Sequence, residues 1–142
     1  MLLFQGLAQR MKMKKLLKIS IGALSAALLL AGCGSSSAKK VSPKEFSDVT
    51  KQAGIVVLDV RTPAEFAEGH LENAVNIDFE SGNFEEEVSK LDKSKTYAVY
   101  CRSGNRSGQA VKVMSETGFT NIYDMDGGVI DWVNAGGQLV TN

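Results

Sequence analysis

One cysteine, one glycine and two arginines fall within six residues of each other in Tyr97-Ala98-Val99-Tyr100-Cys101-Arg102-Ser103-Gly104-Asn105-Arg106-Ser107. An aromatic and β-branched run leads into the cysteine, a Gly-containing basic loop follows, and Ser107 is expected to open a helix over 108–117. A loop between a strand end and a helix start is where α/β folds place their ligands. Backbone N–H groups converge there, and the helix dipole adds partial positive charge. A thiol held at that centre is favoured as its anion. The segment therefore predicts a nucleophilic Cys101 thiolate in a cradle of amides, with Arg102 and Arg106 close by. Such chemistry requires a sulfur that is not sealed away from water.

What that nucleophile attacks is narrowed by what is missing. The only histidine, His70, lies thirty-one positions upstream, outside the loop. Cysteine hydrolases and acyl transferases need a base beside the thiol and an acid for a poor leaving group. A sulfur donor such as thiosulfate needs neither, because sulfite departs as a stable anion. Attack on divalent sulfur follows thiolate fraction and leaving-group pKa. A lone cysteine among amides and arginines thus fits sulfur transfer better than hydrolysis.

The loop Cys101-Arg102-Ser103-Gly104-Asn105-Arg106-Ser107 resembles the active-site loop of single-domain rhodaneses, which are sulfurtransferases. Further segments resemble the same family in the same order. They are Leu58-Asp59-Val60-Arg61-Thr62-Pro63-Ala64-Glu65-Phe66, then Gly69-His70-Leu71, Ala74-Val75-Asn76-Ile77, and Met125-Asp126-Gly127-Gly128 with Trp132. The match runs from about Val41 to Val140. It implies a persulfide intermediate on Cys101, with Arg102, Ser103, Gly104, Asn105, Arg106 and Ser107 as the loop that binds substrate. It also implies small sulfur-containing substrates: thiosulfate as donor, cyanide or thiols as acceptors. Certain phosphatases with a similar fold have a loop one residue longer. Here only four residues, Arg102 to Asn105, separate Cys101 from Arg106. The smaller cradle suits a single sulfur atom rather than a tetrahedral phosphate. At Asn73 the sequence departs from the family's common glycine, but asparagine tolerates positive φ, so the turn survives.

Around that loop the chain of 142 residues reads as one domain with a leader. Residues 1–33 hold Arg10, Lys12, Lys14, Lys15 and Lys18 and no acid. The remainder carries 11 basic and 16 acidic side chains, a net of −5. A mildly acidic body argues against nucleic acid as a partner. Met11-Lys12-Met13-Lys14-Lys15 is a basic n-region, and the apolar run over 19–31 is short for a membrane span, which needs about 20 residues. Leu30-Ala31-Gly32-Cys33 resembles a bacterial lipobox. That resemblance implies a signal peptide over 1–32 and a lipidated Cys33, the alternative being an ordinary secretory signal with an incidental cysteine. Residues 1–10 sit awkwardly ahead of the basic region, so true initiation is expected at Met11 or Met13. Residues 34–40 are small and polar and are expected to be a flexible tether. The implied location is the cell envelope, lipid-anchored on the periplasmic or outer-surface side of a bacterial membrane. An oxidising setting would call for a redox partner protein.

From about residue 41 helix and strand signals alternate. Ser42-Pro43 caps a helix to about Lys51, and Ile55 to Val60 is a continuous β-branched run typical of a parallel strand covered on both faces. Thr62-Pro63 with Glu65 opens a short helix to Glu68. Ala74 to Ile77 predicts a strand, and Phe84 to Leu91 an acidic amphipathic helix. Thr96 to Tyr100 is the expected central strand, followed by the helix over 108–117. Asn121 to Met125, Val129 to Asn134 and Gln138 to Val140 read as strand, helix and strand. The fold class expected for 41–142 is α/β, three-layered, a largely parallel sheet flanked by helices.

Several residues carry a structural reading beside a functional one. Cys101 could be an interior thiol, and Arg106 could make a surface ion pair where the resemblance places it on the loop rim. Arg102 is either a substrate contact or solvated. Ser107 is expected both to cap the helix and to donate its hydroxyl to the sulfur. Asp59 and Arg61 read as a supporting pair, His70 as a hydrogen-bonded structural residue and Trp132 as core. No cofactor and no metal-ligand motif is read. Two functional classes remain: a turning-over sulfurtransferase, or a carrier or sensor of persulfide for a membrane-associated partner.

Overall fold

The structure, a computed structural model, describes residues 37–141. The expected signal peptide, Cys33 and the first part of the tether lie outside the described residues. Five strands are described: β1 (Ser37–Val41), β2 (Ile55–Asp59), β3 (Val75–Asn76), β4 (Thr96–Tyr100) and β5 (Asn121–Met125). Between them run α1 (Pro43–Thr50), α2 (Pro63–Glu68), α3 (Phe84–Ser89), α4 (Asn105–Glu116) and, after β5, α5 (Gly128–Asn134). The strands form one sheet in the order β1-β5-β4-β2-β3, every pairing parallel. This is the three-layer α/β architecture expected, with β4 at the centre.

Side-chain alternation along β4 divides the core into two layers. Tyr97, Val99 and Cys101 face one side, packing with Phe84, Val88, Ala110, Val111 and Met114 of α3 and α4. Ala98 and Tyr100 face the other, against Phe46 and Val49 of α1, with Trp132 of α5 packed alongside. Burial on both faces is why this strand reads as an uninterrupted apolar run. Trp132 is half-buried, its ring edge-on to Phe46 at 6.4 Å and its Nε1 donating to the Gln138 carbonyl at 3.0 Å.

The helix starts follow from local chemistry. Ser42 and Thr62 each close a capping box, with Glu45 and Glu65 reaching back to the cap backbone and proline at the first helical position. Asn73 holds the only positive φ of a non-glycine residue among the described residues, 59°.

Three expectations are corrected. Residues 37–40, read as tether, are the strand β1, in parallel register from Ser37 opposite Asn121 to Val41 opposite Met125. Its Lys39 and Lys40 are exposed, as suits an edge strand whose pairing is made by the backbone rather than by apolar side chains. The helix after Cys101 begins at Asn105 rather than Gly108, because Gly104 takes a left-handed φ of 92° and serves as the N-cap. Gln138 to Val140 is not a sheet strand. Val140 makes a single antiparallel bridge to His70, through paired bonds of 2.9 and 2.8 Å.

Candidate active site

Parallel pairing brings the C-terminal ends of β2 and β4 to one edge of the sheet. Asp59 sits opposite Tyr100 in register, and the Val60 amide donates to the Tyr100 carbonyl at 3.0 Å. The Arg61 segment and the cysteine loop are therefore neighbours by construction.

Cys101 ends the β4 run, and its loop turns back over it. The Gly104 amide donates to Cys101 Sγ at 3.1 Å. Gly104 tolerates the left-handed conformation this turn requires, and a Cβ there would stand 3.3 Å from the Gly127 nitrogen. The amides of Asn105, Arg106 and Ser107, in the first turn of α4, belong to the set that a helix leaves without intrahelical acceptors. Arg102, Ser103 and Asn105 are exposed. Cys101 itself is only 1% exposed. The expectation of an open sulfur is corrected to this extent: in the resting loop the thiol lies beneath its own backbone.

The start of α5 anchors this loop from the side. Val129 N donates to the Cys101 carbonyl at 2.9 Å and Ile130 N to the Arg102 carbonyl at 3.1 Å. Gly128, at φ 59°, makes that approach possible, since a Cβ there would lie 2.5 Å from the Cys101 oxygen and the Arg102 carbonyl carbon.

Asp59 and Arg61 form the supporting pair. Both are buried, and Arg61 Nη2 donates to Asp59 Oδ2 at 2.6 Å and to the Gly69 carbonyl at 2.7 Å. Burial acts to lower the Arg61 pKa, but the hydrogen bonds and charges of Asp59 and Tyr100 together outweigh it and the net direction is upward. The guanidinium also lies over the Tyr100 ring at 5.6 Å, and the Tyr100 hydroxyl accepts from the Leu71 amide at 3.0 Å.

Arg106, expected on the loop rim, is engaged by two carboxylates. Its guanidinium grips Glu65 through two bonds of 2.7 Å and reaches Glu80 at 3.0 Å, bracing α2 against α4. The Arg106 bonds hold the Glu65 carboxyl down at about 2, and the same pairing raises Arg106. Arg102 makes no ion pair among the described residues.

Ser107 departs from both expected roles. It lies within the first turn of α4 rather than at the N-cap, fully buried, and its Oγ has no hydrogen-bond partner at the sulfur or elsewhere among the described residues. Near it is the buried Asp124 of β5, whose Oδ1 is likewise without a well-aligned partner. Burial pushes the Asp124 carboxyl up, and the proximity of Ser107 opposes that. His70 is structural here: Nδ1 bonds the Phe66 carbonyl at 2.9 Å and the imidazole stacks on Phe66 at 3.8 Å.

Gly127-Gly128, Glu65, Glu80 and Asp124 were not read as site residues. A glycine pair shortly after a strand, and an aspartate among the apolar residues Ile122, Tyr123 and Met125, are the available signals. Glu65 is expected as a capping residue within the segment that resembles the family, and nothing local in the sequence links it to Arg106.

The rhodanese-like domain family model matches residues 42–135. The chain belongs to the rhodanese-like family. It is 33% identical over 95 residues to the thiosulfate sulfurtransferase GlpE of Pseudomonas putida, covering 66% of this chain and 84% of that protein. It is 36% identical over 104 residues to a tRNA uridine(34) hydroxylase of Cytophaga hutchinsonii, covering 70% of this chain but 33% of that protein. Several curated relatives are thus much longer, and the chain spans about a third to a half of their length. A rhodanese-related protein from Thermoplasma volcanium has a crystal structure that superposes with a TM-score of 0.66 at 33% identity, covering 73% of this chain and 99% of that one.

Proposed function

We propose that this domain is a sulfurtransferase that moves a sulfane sulfur from thiosulfate or a similar donor to a thiophilic acceptor through a Cys101 persulfide. The observation that carries this is the amide donor at 3.1 Å from the Cys101 Sγ, in the loop between β4 and α4, with no histidine beside it. The Cys101 thiolate attacks the outer sulfur of thiosulfate. The bond from that sulfur to the sulfonate sulfur breaks, and sulfite leaves with the electron pair. The negative charge now sits on the persulfide's outer sulfur, where loop amides can receive it. An acceptor anion then attacks the outer sulfur, forming thiocyanate from cyanide or a persulfide from a thiol, and the Cys101 thiolate is released. Neither half-reaction needs a general acid. Because Cys101 is buried at rest, donor approach requires the structure over the sulfur to open.

Membrane attachment through a lipidated Cys33, on the periplasmic or outer-surface side of a bacterial envelope, is part of the same proposal. Its support is the basic n-region, the apolar run and Leu30-Ala31-Gly32-Cys33. Among the described residues no helix is long and apolar enough to cross a membrane. In that setting a redox partner protein would unload or reduce the persulfide.

The near-complete burial of Cys101 favours one second reading, a carrier that holds its persulfide for a membrane-associated partner without steady turnover. Sulfite release from thiosulfate with cyanide as acceptor separates the two. Multiple turnovers, lost in Cys101→Ala, support the enzyme. A single equivalent of sulfite followed by a stable persulfide supports the carrier, and no sulfite at all overturns both.

A further inference from the structure

Beside the cysteine loop lies a cavity of about 270 Å³, whose wall includes Glu68, Arg102, Val129, Ile130 and Leu139. It adjoins the reacting centre through the backbone, since Val129 and Ile130 are the residues bonded to the Cys101 and Arg102 carbonyls. The other charged groups in its wall are already committed. Arg61 is held by Asp59 and the Gly69 carbonyl, and Glu65 by Arg106 and the Thr62 cap. Glu68 and Arg102 are different: both are exposed, and neither makes an ion pair or side-chain hydrogen bond among the described residues. The third feature of the wall is apolar. Ile130 is a large hydrophobic side chain left 43% exposed, with Val129 and Leu139 half-buried near it.

We infer that this cavity is the acceptor subsite, and that it takes a small thiol carrying both an α-carboxylate and an α-ammonium, the chemistry of a cysteine-type amino acid. The inference rests on the sulfurtransferase proposal above and names its acceptor. The carboxylate is received by Arg102, which presents a planar fork of donors to it. The ammonium is received by Glu68, and the methylene carbons rest on Ile130. A free inorganic anion would use Arg102 alone and leave Glu68 repelling it. The volume suits a ligand of amino-acid size, being below the roughly 300–1,000 Å³ usual for drug-sized ligands. In the transfer step the acceptor thiolate attacks the outer sulfur of the Cys101 persulfide. The new S–S bond forms on the amino acid, the bond to Cys101 Sγ breaks, and its electron pair returns to Sγ as the thiolate.

The test is single-turnover discharge of the thiosulfate-loaded protein, followed by intact mass, with cysteine, N-acetylcysteine, cysteamine and cyanide as acceptors. Rates are corrected for each thiol's own thiolate fraction and normalised to cyanide discharge of the same variant. Cysteine should outpace both N-acetylcysteine, which lacks the ammonium, and cysteamine, which lacks the carboxylate, by about fivefold, the scale of one partly exposed charged contact. Glu68→Gln should bring the cysteine to N-acetylcysteine ratio close to one, while its cysteine to cysteamine ratio persists. Equal corrected rates for the three thiols, or a ratio unmoved by Glu68→Gln, would overturn the subsite while discharge by cyanide leaves the sulfurtransferase proposal standing. Failure of thiosulfate to load the protein at all would remove that proposal and this one together.

Discussion

Gly128→Ala tests whether the α5 start holds the cysteine loop in place. The new methyl would lie 2.5 Å from the Cys101 oxygen and the Arg102 carbonyl carbon, and 2.6 Å from the Arg102 oxygen, all of them backbone. Ordinary contact begins near 3.4 Å, so loop and helix must part by roughly 1 Å. The left-handed φ of 59° adds about 1–2 kcal/mol for a residue with a Cβ, and the overpacking about 1–3 kcal/mol. The expected loss is therefore about 2–5 kcal/mol in urea unfolding. Persulfide formation should slow by up to about 100-fold, the scale of a 1 Å misplacement at a reacting centre. Gly54→Ala is the matched control, with φ 82° but nothing within 4 Å of its added Cβ. It should lose only about 1–2 kcal/mol and load sulfur at the wild-type rate. If the two variants lost equal stability and loaded sulfur equally fast, the close approach of Gly128 to the loop would not be what positions Cys101.

Three further outcomes are expected. Glu65 has its carboxyl depressed to about 2 by Arg106, so the pair stabilises the fold above the usual carboxylate range and that stability is lost as pH falls from about 4.5 towards 2. Between pH 6 and pH 2.5, Glu65→Gln should lose about 1–2 kcal/mol less in urea unfolding than wild type, a figure reduced for the solvent at its edge. Asp124 runs the other way: burial raises its pKa, so the folded state keeps the proton longer and stability declines as pH rises through that raised value. Asp124→Asn should therefore be more stable than wild type by about 1 kcal/mol at pH 7, with the advantage gone in acid where the wild-type carboxyl is neutral. Arg106→Lys keeps the charge but loses the fork that holds Glu65 from two sides. It should cost about 1–2 kcal/mol in thermal or urea unfolding, and a wild-type stability would show that the brace between α2 and α4 contributes nothing.

Much of the architecture was legible because it is written locally. The apolar run ahead of Cys101 is a strand buried on both faces, and the cap-proline-glutamate pattern at Thr62-Pro63-Glu65 starts a helix. The Asp59–Arg61 pair is readable because a single residue separates its members and a strand end turns them together. What the sequence hid depends on contacts between distant segments. β1 contains Ser, Ala and Lys, and becomes a strand only because β5 offers it an open edge. Arg106 looked like a rim cation, and its partners Glu65 and Glu80 arrive from forty-one and twenty-six positions away. The helix start was misplaced by three residues because Ser107 resembles a cap, whereas Gly104 alone could adopt the turn. Burial of the Cys101 thiol follows from the loop folding back, which no spacing in the sequence reports.

The most direct measurement is the intact mass of the protein after thiosulfate, and again after cyanide. Sulfur transfer through Cys101 predicts a gain of one sulfur atom, removed by cyanide and absent in Cys101→Ala. An unchanged mass after thiosulfate, with Cys101 intact and the domain folded, would contradict it and leave the buried thiol a structural residue.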